Sequence, residues 1–266
     1  MNHPARHAVL ALLAALLLPA LPCRAEIREI KTLAEIIPSI TPETLLVFDL
    51  DNTLIVPEGE LGSDHWYYFL LRKYREIDHL DATAADDRAM EVWNRVQTNV
   101  VIRAVEPGTA ALIRQLQDRG IPTVGLTART PDIADITLSQ LRGAGIELGR
   151  HTIYKCDFDW WCRDFVKYQA GILFVGVHST KGEALTQFLN GLGIRPKRIL
   201  FVDDRPAQVS NVDQAMRAAG IECLAFRYGY LDERVARFNA DTQNIRAYLG
   251  ELQPKQTAQQ TEATSR

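Results

Sequence analysis

Two aspartates flank a single leucine in LLVFDLDNTL, residues 45–54, where a run of apolar residues stops. Charge at the end of a buried strand is costly unless it meets a partner. Asp203 and Asp204 close a second apolar run, Thr127 closes a third, and Lys181 stands in HSTKGEAL ahead of a helical pattern. Asp49 and Asp51 are two apart, so on an extended chain both side chains project to the same side. Gathered at one edge of a sheet, these residues supply carboxylates, a hydroxyl and an ammonium. Crowded carboxylates repel and raise one another's pKa unless a cation sits among them. Hard oxygen ligands beside a lysine suit Mg²⁺ acting on a phosphate, because that ion keeps waters and binds through one or two carboxylates plus substrate oxygens.

The elements that must position these groups alternate. TLLVFDL (44–50), PTVGLT (122–127), RILFVDD (198–204) and ECLAFRY (222–228) are short apolar runs rich in Val, Leu, Ile and Phe, as strands buried on both faces require. PGTAALIRQLQDRG (107–120) and PAQVSNVDQAMRAAG (206–220) carry helical spacing and stop at Gly120 and Gly220. Strand–helix alternation predicts an α/β fold, a doubly wound parallel sheet whose ligands sit at the carboxyl ends of the strands. Two stretches break the rhythm. Residues 58–104 read as a small, mainly helical insertion after the first strand, and YQAGILFVGV, within 150–177, reads as an added strand or hairpin.

Taken in order, DLDNT (49–53), Thr127 in VGLTART, Lys181 in TKGEA and VDD (202–204) resemble the four motifs of the haloacid dehalogenase superfamily of phosphatases. The resemblance covers most of residues 40–230. It implies a Rossmann-type core over 26–57 and 105–252, a cap over 58–104, and Mg²⁺-dependent hydrolysis of a phosphate monoester. It casts Asp49 as the nucleophile that forms an aspartyl-phosphate and Asp51 as the general acid and then base. Thr127 and Lys181 would bind the phosphoryl group. The metal would lie among Asp49, the Asp51 backbone carbonyl and Asp203 or Asp204, with Asp203 in the usual ligand position. Members that displace halide lack the second aspartate, so Asp51 favours a phosphatase, whose alkoxide leaving group needs a proton. A phosphotransferase or mutase using the same intermediate, or a secreted binding or effector protein without significant turnover, are the alternatives.

Other residues read less sharply. Arg129 could contact substrate or be a surface arginine paired with a nearby acid; Asn52 shapes a turn; Arg205 pairs with a carboxylate on the following helix; His178 is structural. Trp66, Tyr67, Tyr68 and Phe69 are consecutive, so no single helical face holds them all and some meet either the site's mouth or the core. Trp160 and Trp161 are candidates for the rim.

Arg6 and His7 precede an apolar run, Ala8 to Leu18, too short to span a bilayer and followed by Pro19, Pro22 and Cys23-Arg24-Ala25. Residues 1–25 therefore read as a signal peptide, giving a bacterial periplasmic or secreted protein with no stable membrane span. Without it 28 basic residues face 33 acidic ones, a formal charge of −5. Neither sign dominates any long run, which disfavours nucleic acid and an anionic membrane as partners; the resemblance implies a small-molecule phosphate ester. Export permits a Cys156–Cys162 bridge, with three unpaired thiols as the even alternative. Residues 253–266 have almost no apolar content and read as a disordered tail.

Overall fold

The computed structural model describes residues 27–242 together with 245, 246 and 248; the expected signal peptide and tail lie outside them. An eight-stranded sheet forms the centre, in the order β1-β10-β9-β2-β5-β8-β7-β6. Its strands are β1 (Arg28–Ile30), β2 (Thr44–Phe48), β5 (Thr123–Thr127), β6 (Phe158–Trp161), β7 (Phe165–Gln169), β8 (Ile172–Phe174), β9 (Arg198–Asp203) and β10 (Glu222–Tyr228). From β1 to β8 every pairing is parallel, and β7 and β6 add an antiparallel edge. The fold is the expected α/β, doubly wound arrangement, with β1 as an edge strand ahead of the first motif. The stretch expected to add a strand or hairpin holds β7 and β8, which turn on Ala170 and Gly171, both with positive φ (48° and 84°).

Every residue of β2 and β5 is buried, because helices cover both faces of the sheet. On one side Phe48, Leu46, Leu200 and Phe174 pack in one apolar cluster; on the other Val47, Phe201, Leu185 and Phe188 pack in a second. The alternation along β2 thus divides its own side chains between two cores.

A two-stranded antiparallel ribbon, β3 (Ile55–Pro57) with β4 (Ile102–Ala104), brackets the inserted segment. Inside it run α1 (Asp64–Glu76) and α2 (Ala82–Val96). Ser63 Oγ caps α1 by accepting from the Trp66 amide at 3.1 Å, and Asp81 caps α2 by accepting from the Ala84 amide at 2.9 Å. Trp66, Leu70, Val92 and Trp93 pack between them in a third apolar cluster, joined by Ile133 and Ile245. The chain continues through α3 (Thr109–Asp118), α4 (Ala134–Gly143), α5 (Lys181–Gly191), α6 (Pro206–Ala218) and α7 (Asp232–Ala236). No helix among the described residues is long and apolar enough to cross a membrane. Cys156, Cys162 and Cys223 are all free thiols.

Candidate active site

The first motif follows β2, which ends at Phe48. Asp49 is tied back to the sheet by its amide, which donates to Val202 O at 2.9 Å. Asn52 is left-handed, with φ 60°, a conformation that asparagine tolerates better than most residues. The two aspartates take different partners: Asp49 meets Lys181 and Thr53, whereas Asp51 meets Arg129. Asp49 faces β9 and α5, whereas Asp51 faces the loop after β5.

Lys181 is the first residue of α5, behind the cap Thr180, whose Oγ1 accepts from the Glu183 amide at 3.2 Å. Its ammonium donates to Asp49 Oδ1 at 2.5 Å and to Asp203 Oδ2 at 2.7 Å, and all three side chains are buried. α5 reaches this position because residue 182 is glycine: a Cβ there would lie 2.8 Å from Asn211 O and 2.7 Å from Ala215 Cβ on α6. Asp203 Oδ1 accepts from the Arg205 amide at 2.8 Å, and Asp49 Oδ2 accepts from Thr53 Oγ1 at 3.3 Å. Carboxylate oxygens of Asp49, Asp203 and Asp204 all lie within 4.8 Å of one another.

Burial holds the Asp49 carboxyl above its usual range, with Lys181 pulling against that shift and Asp203 adding to it. Asp204 is raised in the same way, by burial first and then by Asp203, Asp64 and Asp49. Burial works against the Lys181 charge too, but Asp203 and Asp49 overcome it and hold the ammonium above its ordinary value. One cation therefore faces three crowded carboxylates. That imbalance, together with an all-oxygen donor set, fits a divalent hard cation such as Mg²⁺.

Thr127, the last residue of β5, is buried, and its Oγ1 accepts from the Arg129 amide at 3.1 Å, which leaves the hydroxyl proton free to donate elsewhere. Asp51 stands outside the carboxylate cluster. Both of its oxygens are held by Arg129, at 2.8 Å from Nε and 2.8 Å from Nη2, a bidentate fork. Arg129 is buried rather than at the surface: its Nη1 donates to Thr137 Oγ1 (3.1 Å) and Gln140 Oε1 (2.6 Å) on α4, and its guanidinium carbon lies 5.1 Å from the Trp93 ring centroid. Gln140 in turn donates to Gln97 O, just past α2, at 2.8 Å.

The remaining candidates fall as follows. Asn52 does shape the turn and also donates to Asp204 Oδ2 at 3.3 Å. Arg205 pairs with Asp64 on α1 at 3.4 Å, rather than with its own helix, and lies over the Tyr68 ring, 3.9 Å from the centroid. His178 Nε2 lies 2.8 Å from Asp87 Oδ1 on α2. Of the consecutive aromatics, Trp66 is buried in the third cluster, whereas Tyr67 and Tyr68 line the cavity beside Asp51 and Lys181. Trp160 and Trp161 do not line it; Trp161 is 74% exposed at the outer edge of the hairpin.

The family described as "Protein of unknown function (DUF2608)" matches residues 26–261 of this sequence. The chain belongs to that family. Curated relatives of this DUF2608 protein include two chlamydial proteins, each described as "Putative outer membrane protein". The one from Chlamydia pneumoniae is 24% identical over 88% of both chains. The one from Chlamydia trachomatis serovar D is 22% identical over 75% of both. Among solved structures, a hydrolase of the haloacid dehalogenase-like family from Streptococcus pneumoniae is 15% identical, with a TM-score of 0.44 over 81% of this DUF2608 chain and 93% of that one. Likeness at this level carries no activity with it; the chemistry rests on the geometry above.

Proposed function

We propose that the protein is a Mg²⁺-dependent phosphohydrolase that cleaves a phosphate monoester through an aspartyl-phosphate on Asp49. The observation that carries this reading is the Lys181 ammonium bridging Asp49 and Asp203 beside Asp204, at the carboxyl ends of β2 and β9. Bound Mg²⁺ would be held by Asp49, Asp203 and Asp204 and would offset the charge of the phosphate.

The chain's own groups do the rest. Asp49 attacks phosphorus, and Lys181 and the free proton of Thr127 meet the equatorial oxygens, whose charge must be stabilised in phosphoryl transfer. In its protonated form Asp51 gives its proton to the leaving oxygen, and as the carboxylate so formed it takes one from the attacking water; the intermediate on Asp49 turns one hard step into two easier ones. Arg129 sets the position of the Asp51 carboxyl group. The segment 58–104, with α1 and α2, serves as a cap over this site. Export completes the reading, supported by the N-terminal apolar run and by the description of the chlamydial relatives.

The test is phosphate release from a panel of esters with Mg²⁺, with chelator, and with Asp49→Asn. Metal-dependent release that vanishes in the variant is expected, because the amide keeps the shape and is a poor nucleophile. Near wild-type release by a folded Asp49→Asn protein would overturn the covalent mechanism.

A further inference from the structure

The cavity between the cap helices and the carboxylate cluster has an uneven chemistry. On its α1 and α2 side it is walled by Tyr67, Tyr68, Met90 and Trp93, with the carboxylates of Asp64 and Asp86 among them. Its volume is about 170 Å³, below the roughly 300–1,000 Å³ of sites that enclose drug-sized ligands. A small, flat, apolar group fills such a space by contact with ring faces and edges.

The cations around the cavity already face carboxylates. Lys181 is held by Asp49 and Asp203, and Arg129 by both oxygens of Asp51. Arg75 donates to Asp86 Oδ2 at 2.9 Å from behind the wall, and Tyr67 OH donates to Asp86 Oδ1 at 2.8 Å. Arg205 is the loosest, 3.4 Å from Asp64, but its guanidinium lies against the Tyr68 ring. A carboxylate or second phosphate entering beside Asp64 and Asp86 would lose its water without gaining a free cation, and like charge next to it adds to the cost. Burial already pushes Asp64 up to about 6, with Arg205 opposing, so the wall resists negative charge of its own.

We propose, resting on the phosphohydrolase reading above, that the site selects phosphate monoesters of a small, flat, apolar alcohol bearing no second anionic group, and discriminates against bisphosphates and phosphorylated carboxylic acids. Aromatic walls supply the attraction, and the committed cations supply the rejection.

A matched series tests this without confusing binding with intrinsic reactivity: benzyl phosphate, 4-carboxybenzyl phosphate and 4-(aminomethyl)benzyl phosphate have leaving alkoxides of similar basicity. We expect kcat/KM for the carboxylate ester to fall about tenfold or more below that for benzyl phosphate, and the ammonium ester to match or exceed benzyl phosphate. Asp64→Asn narrows the gap. Asp86→Asn is the second variant, in case loss of the Asp64 pair disturbs α1. Equal kcat/KM for the carboxylate and benzyl esters overturns the proposal, as does equal rejection of both charged esters or a gap unchanged in both variants. Calorimetric binding of the same esters to Asp49→Asn protein with Mg²⁺ separates the two layers of argument. Ranked binding without wild-type turnover leaves selectivity standing and removes hydrolysis; turnover without ranking does the reverse. Neither turnover nor binding removes both.

Discussion

Replacing Lys181 with methionine keeps the apolar stem and removes the ammonium. The lysine side chain is 4% exposed, and the carboxylates it bridges, Asp49 and Asp203, are 8% and 0% exposed. Withdrawing one partner from a buried ionic contact costs about 3–5 kcal/mol, because the other charge is left without compensation. Here part of that cost is relieved by a proton. Asp49 is already held above the usual carboxylate range by burial, with Asp203 adding to the shift. Without Lys181 it takes up a proton more readily still, so the loss falls near the lower end, about 3 kcal/mol at neutral pH. For a chain of this size each kcal/mol moves the melting temperature by roughly 2–4 °C, so Lys181→Met should melt roughly 6–12 °C below wild type in chelator. The deficit shrinks as pH falls, since protonation replaces the missing cation. Adding Mg²⁺ narrows it again, because a second cation enters the cluster and stabilises only the folded state. Lys31→Met is the control. That side chain is 67% exposed, and its pair with Asp232 is worth less than about 1 kcal/mol. Thermal unfolding followed by circular dichroism, in chelator and in a Mg²⁺ series, reads all of these. If Lys181→Met melts with wild type while Lys31→Met does too, Lys181 is not the counter-charge of the cluster and the electrostatic argument for the site fails.

Two further outcomes follow from burial. Cys223 on β10 is buried, and burial pushes its thiol up to about 12, whereas Cys156 is exposed. A thiol-exchange reagent should therefore modify Cys156 first, Cys162 more slowly, and Cys223 only in denaturant, since the thiolate is the reacting species. Modification of folded protein at Cys223 as fast as at Cys156 would show that β10 is not packed as described. Asp64 is raised to about 6, by burial against the pull of Arg205. The folded state then binds this proton more tightly than the unfolded state, so the group costs stability as pH rises from about 4 to about 6, and the cost is constant above that. The full shift corresponds to about 3 kcal/mol, and with the carboxylate 23% exposed a figure on the order of 1–2 kcal/mol is expected. Relative to Asp64→Asn in chelator, denaturant unfolding of wild type should lose ground across that window. A difference that stays flat, or moves the other way, removes Asp64 as a strained buried acid.

The core strands were legible because a strand buried on both faces leaves a continuous apolar run, and β2, β5, β9 and β10 begin and end within two residues of such runs. The β3–β4 ribbon was not. Each of its strands has three residues, too few for a period to show, and one ends in Pro57. β1 is equally short and gains its place only from pairing with β10, far away in the chain. The carboxylate cluster was legible because its members end strands that the alternation of elements brings to one edge of a sheet.

Arg129 was not legible, and the reason bears on the chemistry. An arginine two residues past a strand is most often solvated, and nothing near it in sequence marks it as buried. What buries it is Asp51, 78 residues earlier, with Thr137 and Gln140 from one face of α4. Two carboxylates in one environment compete for the same cation and the same proton. Here the partners of Asp49 and Asp51 differ, one lying beside Lys181 and its fellow carboxylates and the other in the fork of Arg129. On the proposed mechanism that difference lets two identical side chains take different roles, one as nucleophile and one as proton carrier, because their surroundings differ even though their chemistry does not.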